Sequence, residues 1–176
     1  MRRLPACLLA LLCACSPGAT PRELASYDLR IGEAEREDLR RILSDFATAE
    51  GLAAYPASQH QGRLASPGSR FRPGMAMILR RHDRNDRELS ASASYNDPSR
   101  VRLTFLSQGA QDLPAAARDR LFTALARRWP ASLPVPVLPD GRTAPPQHLV
   151  AGSDRYRIHR TAAAQYGLPK DSPLLV

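Results

Sequence analysis

Cysteine is scarce, and its placement is lopsided. The chain has 3 cysteines in 176 residues, Cys7, Cys13 and Cys15, and none follows residue 15. Residues 16–176 therefore hold no disulfide, no catalytic thiol and no thiolate metal ligand of their own. Lysine is scarcer still: Lys170 stands alone, so a Ser–Lys mechanism would have to draw on the C-terminal end. The Gly-x-Ser-x-Gly signature is missing, which removes the nucleophile elbow. His60, His82, His148 and His159 stand in no short metal-binding spacing. Aromatic residues make up 6% of the chain. They interleave with the arginines in no nucleic-acid motif, so nucleic acid is not an expected partner. The apolar run from Leu4 to Cys15 falls short of the about 20 residues a membrane helix needs. There are no internal repeats. These absences together predict a protein that is not an enzyme and carries neither cofactor nor metal, with a hydrolase as the lesser alternative.

What is present begins at the N-terminus. Met1-Arg2-Arg3 is short and positive, Leu4 to Leu12 is apolar apart from Pro5, and Leu12-Cys13-Ala14-Cys15 is followed by Ser16-Pro17-Gly18. That order is the layout of a secretory signal peptide. Its ending resembles the lipobox of bacterial lipoprotein precursors, with Leu12 three before the cysteine and small Ala14 just before it. The resemblance implies cleavage after Ala14 and lipidation of Cys15 by a diacylglyceryl thioether, with palmitate-type chains. Cys13 departs from the pattern, whose members place Ala, Ser or Thr there. Cleavage before Cys13 would instead put bulky Leu12 at the small-residue position, which favours Cys15. Ser16, rather than Asp, resembles cargo sorted to the outer membrane facing the periplasm; inner-membrane retention is the alternative. The resemblance covers about the first sixteen residues and implies nothing about the fold.

Charge is the second positive signal. The formal net charge is +8; without Arg2 and Arg3, 23 basic residues face 17 acidic ones. Nearly all are arginine, whose planar fork binds phosphate and carboxylate bidentately. An Arg-rich, Lys-poor chain also fits a GC-rich gene. In a cell envelope the anionic partner would be lipid headgroups, lipopolysaccharide, cell-wall polymer or an acidic protein. Arg63, Arg70, Arg72, Arg80, Arg81, Arg84 and Arg87 cluster against Asp83 and Asp86, and are the candidate anion-binding residues. Glu33–Glu50 carries six acids and three arginines. The competing account of this segregation is that the two surfaces neutralise each other or lie solvated.

Periodicity supplies the elements. Residues 16–24, rich in Pro and Gly, read as a tether. Tyr27, Leu29 and Ile31 alternate as a short strand. Glu33–Glu50 reads as a helix, with Leu39, Ile42, Leu43 and Phe46 on one stripe and Gly51 at its end. Leu52–Ser58 predicts a strand, and 59–73 a polar loop. Met75–His82, Glu88–Tyr95 and Val101–Ser107 predict a meander, with Leu89, Ala91, Val101, Leu103 and Phe105 facing inward. Asp112–Trp129 predicts a second helix whose stripe is Leu121, Phe122, Leu125 and Trp129. From Ala131 the prolines predict an extended segment, then an edge strand at Tyr156–His159 and a helical turn at Thr161–Tyr166 capped by Thr161.

The pattern predicts an α+β fold: an antiparallel sheet of about four strands with two helices on one face. The expected organisation is a signal peptide at 1–14, anchor and tether at 15–24, an α+β domain at 25–130, and a Pro-rich segment at 131–176 packed on it. The functional expectation is a lipid-anchored envelope module that binds or assembles with a protein partner or an anionic envelope component. Handling of lipid or lipopolysaccharide is the alternative.

Overall fold

The computed structural model describes residues 21–56, 75–81, 87–93, 97, 99–107 and 112–176. In chain order these form β1 (Arg22–Arg30), a 3-10 turn (Glu33–Glu35), α1 (Arg36–Ala49), β2 (Leu52–Pro56), β3 (Ala76–Arg81), β4 (Arg87–Ala93), β5 (Arg100–Ser107) and α2 (Ala115–Arg128). β6 (Leu133–Val135), β7 (Leu149–Ala151) and β8 (Tyr156–Ile158) follow, with 3-10 turns at Pro146–His148 and Arg160–Tyr166. The fold is α+β, as the pattern predicts. The main sheet has six strands rather than about four, in the order β2-β3-β4-β5-β1-β6, all antiparallel.

Two strands, β1 and β6, depart from the expected pattern for a physical reason. β1 is longer than its Tyr27–Ile31 alternation suggests, because its outward face is covered too. Ser26 and Asp28 are buried as deeply as Leu29, so the strand lacks the wet-dry alternation that marks a one-sided strand. β6 carries Pro134, which cannot donate to a ladder; it lies at the sheet edge, pairing Ser26–Asp28 of β1 over three residues.

The core lies between the sheet and the two helices. Leu89 and Ala91 of β4, and Val101, Leu103 and Phe105 of β5, face it. α1 adds Leu39, Leu43 and Ala47, while α2 adds Leu121 and Leu125, spaced to share one stripe. Tyr27 lies flat on Phe122 at 3.9 Å and meets Phe105 edge-on. Ile42 and Phe46, expected inside, are only half-buried against this core. The structured part of α1 starts later than Glu33, since its first turn is 3-10. Gly51, at φ +68, ends it as a C′ residue where a side chain would be strained.

A second apolar cluster forms in the C-terminal segment around Leu138, Ala144, Ile158, Ala162, Leu168 and Leu175. Here β7 and β8 pair as a separate two-stranded ribbon, so Tyr156–Ile158 is not an edge of the main sheet. The cap of the last turn also differs from expectation: His159, not Thr161, occupies it, its ring Nδ1 accepting the Thr161 backbone N–H at 3.3 Å. No helix among the described residues is long and apolar enough to cross a membrane.

Candidate functional site

The residues singled out by sequence do not form one patch among those described. Cys15, Arg63, Arg70, Arg72 and Arg84 lie outside the described residues, as do His60 and His82. Arg80 and Arg81 end β3, and Arg87 starts β4. The Arg80 guanidinium sits 4.1 Å above the Tyr55 ring, a cation–π contact on the sheet's outer face. Arg81 donates through Nε to Glu88 at 3.1 Å. Arg87 pairs opposite Arg80 in the ladder and is exposed.

Topology then divides the basic stretch. The strands alternate in direction, so Arg22 at the start of β1 shares one end of the sheet with Arg81 and Arg87. Pro56 and Met75, which bound residues 57–74, lie toward the opposite end. Glu37, Asp38 and Glu50 are paired within the helical layer. Arg40 bonds Glu37 and Arg41 bonds Asp38 along α1, while α2 sends Arg128 to Asp38 at 2.7 Å and Arg120 to Glu50 at 3.0 Å. These two interhelical pairs tie α1 and α2 together near both ends.

The strongest electrostatic cluster lies on the outer face of the sheet, where sequence alone did not place one. The ladder sets Asp28 opposite Arg102, and Arg30 opposite Arg100. Asp28 is wholly buried, and Arg102 grips both its oxygens, at 2.7 and 3.0 Å. Arg100 Nε lies 3.4 Å from the same carboxylate without hydrogen-bond geometry, while its Nη2 donates to the Tyr156 hydroxyl at 3.1 Å. Arg102 also reaches the Ala144 carbonyl. Arg30 pairs with Asp97 at 2.6 Å. Burial works against the Arg30 cation, yet the Tyr156 hydroxyl and Asp97 outweigh it and hold its pKa above the ordinary value. The Ser99 hydroxyl, with Arg30, holds Asp97 below the usual carboxylate range. Chemically, this carboxylate is fully engaged by cations, so the cluster clamps the C-terminal segment onto the sheet. The sequence signal was there in the polar residues between the inward ones: Ser26, Asp28 and Arg30, with Arg100, Arg102 and Thr104. It needed the register to be read.

A groove of about 490 Å³ runs between α1 and strand β2. Its floor is apolar, with Ala54, Pro56 and Met77; its helical wall presents Glu37, Arg40, Arg41 and Ser44. Residues 37, 40, 41 and 44 share one face of α1, turned away from the Leu39–Leu43 stripe.

The remaining histidines are engaged locally. His148 Nδ1 meets the Tyr166 hydroxyl at 2.5 Å, and His159 Nδ1 meets the Thr161 hydroxyl at 2.7 Å. No group of three His, Cys, Asp or Glu among the described residues could hold a metal ion. The chain matches no known family model, no curated protein and no solved structure.

Proposed function

We propose that this chain is a lipid-anchored cell-envelope lipoprotein whose domain is a non-catalytic binding or assembly module. Its partner in this reading is another envelope protein or an anionic envelope component. The observation that carries the reading is Leu12-Cys13-Ala14-Cys15 behind a positive start and a short apolar run. The side-chain chemistry of the domain supports it. Asp28, the most buried carboxylate among the described residues, is gripped by arginine, and Glu37 and Asp38 of α1 pair with arginines of the two helices.

The start of β1 adds a spatial consequence. Arg22 lies seven positions after Cys15. A chain of that length spans at most about 25 Å. An anchored Cys15 therefore holds the Arg22 end of the sheet, with Arg81 and Arg87, nearest the headgroups. The opposite end stands away from the bilayer, toward the envelope proteins. Outer-membrane placement follows from Ser16 in this reading.

Fractionation tests it. The wild-type chain is expected in the membrane pellet, and Cys15→Ser in the soluble fraction or as uncleaved precursor. Wild type in the soluble fraction would overturn the anchor.

A further inference from the structure

We propose that the start of α2, with Arg118 and Tyr27, binds a phosphodiester that carries an ethanolamine ammonium, the ammonium turned toward Asp119. The choice of a phospholipid as its source rests on the reading of the chain as a membrane-anchored module. The site itself rests on groups of the domain.

Arg118 is the anomaly. Its Nε and Nη1 atoms are buried without a hydrogen-bond partner, and no other guanidinium among the described residues has two such atoms. Arg102, by contrast, has Asp28, and Arg81 has Glu88. Arginine stays charged, and a buried cation left without a counter-charge destabilises the fold. Such an orphan marks a place for an ion from outside the chain.

Tyr27 supplies a second unused donor. It is only 9% exposed, and its ring lies on Phe122, one turn along α2 from Arg118. No hydrogen bond reaches its hydroxyl among the described residues. Burial and then the Asp119 carboxylate raise its pKa against the opposite pull of Arg118, so the phenol stays a donor. Since both of these helix charges act on it, the hydroxyl faces the first turns of α2.

The helix start is bare. Pro114 caps α2 without a side-chain bond, and no acid stands in the first turn. Pro114, Ala115 and Ala116 are exposed. The Ala117 and Arg118 amides fold back onto the Pro114 carbonyl, which leaves those of Ala115 and Ala116 without an intrahelical acceptor. Helical side chains lean toward the N-terminus, so the Arg118 fork lies beside these amides. Two amides, a guanidinium and a phenol are all donors, and an oxyanion completes them.

Asp119 narrows the choice. Exposed near the phenol, it repels a dianion such as inorganic phosphate and attracts an ammonium. A phosphodiester carries one negative charge, and in an ethanolamine headgroup an ammonium stands close to it. Topology brings the site to the lipid. β5 ends at Ser107 opposite Arg22, and α2 closes with Trp129 bonded to Glu35, past the far end of β1. α2 therefore starts at the Arg22 end, the end an acylated Cys15 holds nearest the headgroups.

The test follows the Arg118 Nε–H and Tyr27 ring signals by NMR in the full chain in nonionic detergent while glycerophosphoethanolamine is added. Both signals should shift, and the melting midpoint should rise. Inorganic phosphate should bind about tenfold more weakly, as should the headgroup to Tyr27→Phe or Asp119→Asn. Arg127→Gln, in the last turn of α2, should leave binding unchanged. Arg118→Met should abolish binding without lowering the melting midpoint of the ligand-free chain, because it removes an unpaired buried charge. In nanodiscs, a shift with phosphatidylethanolamine but not phosphatidylglycerol makes the lipid the source; a shift with the soluble compound alone makes it a free phosphodiester of the same chemistry. The proposal is overturned by no shift in either arm, by binding that survives Arg118→Met, by inorganic phosphate binding equally well, or by a lower ligand-free midpoint in Arg118→Met. Headgroup binding by a chain that lacks acyl mass on Cys15 would remove the anchor and keep the site; an acylated chain that ignores the headgroup would do the reverse.

Discussion

The indole N–H of Trp129 donates to Glu35 at 2.9 Å, joining the residue after α2 to the turn before α1. The other Glu35 oxygen accepts the Gly32 backbone N–H at 2.9 Å. One carboxylate thus satisfies an orphan donor at a helix start and fixes the far end of the second helix. Trp129 is a packing residue with a polar handle, not a stacking platform for a ligand.

This junction makes stability depend on acid. Hydrogen bonds from Gly32 and Trp129 hold Glu35 below the usual carboxylate range, and those from Arg128 and Arg41 do the same for Asp38. A depressed folded pKa gives stability that is present above the unfolded value, about 4, and lost as pH falls through the folded one. The melting midpoint should therefore hold down to about pH 5 and drop below about pH 4. A Glu35→Gln, Asp38→Asn double variant should show a shallower acid limb. Parallel limbs in wild type and variant would contradict this.

Breaking the buried clamp should be costly. Asp28→Ala leaves Arg102, whose side chain is 20% exposed, and Arg100, 14% exposed, without their counter-charge. Losing one partner of a buried pair costs about 3–5 kcal/mol. Urea melts should show that loss, with proteolysis appearing first in residues 138–176. A loss below about 1 kcal/mol would mean that the clamp is solvated.

Phe105→Ala should cost about 3–5 kcal/mol, because the ring is 1% exposed and meets Tyr27 edge-on. Arg128→Ala, by contrast, removes a pair whose side chains are 56% and 37% exposed, and should shift stability by less than about 1 kcal/mol. Denaturant midpoints of the two variants separate the cases.

The core was legible where one face of an element is dry and the other wet. Leu89, Ala91, Val101, Leu103 and Phe105 alternate with serines and arginines, and their parity reads directly. β1 was half-legible, since burial of Asp28 on its second face depends on residues more than seventy positions away in the chain. β6 was hidden by Pro134, and the ribbon of β7 and β8 by its brevity. The arginine clamp left its signal in the polar positions of two strands, but only the register that pairs them brings its members together. The groove was invisible for a similar reason: Ser44 and Ala54 carry no chemical signal until α1 is laid beside β2.

Anion binding by the basic stretch should follow the same division. Arg80 and Arg81 are engaged with Tyr55 and Glu88, so their loss should affect the hairpin. Replacing Arg63, Arg70, Arg72 and Arg84 with Gln should weaken retention on anionic liposomes. The binding should also fall with salt, since exposed charges are screened within about 8 Å at physiological ionic strength. Binding indifferent to salt, or to the four changes, would discard the basic patch.

The anchor itself is tested most directly by the intact mass of the mature protein extracted from membranes. Each buried methylene adds about 0.8 kcal/mol of anchoring, and a single chain holds only marginally, so stable attachment takes two or more. The account predicts a chain that begins at Cys15 and carries at least two acyl chains, with that mass lost in Cys15→Ser. A mature protein that starts at any other residue, or carries no acyl mass, would contradict it.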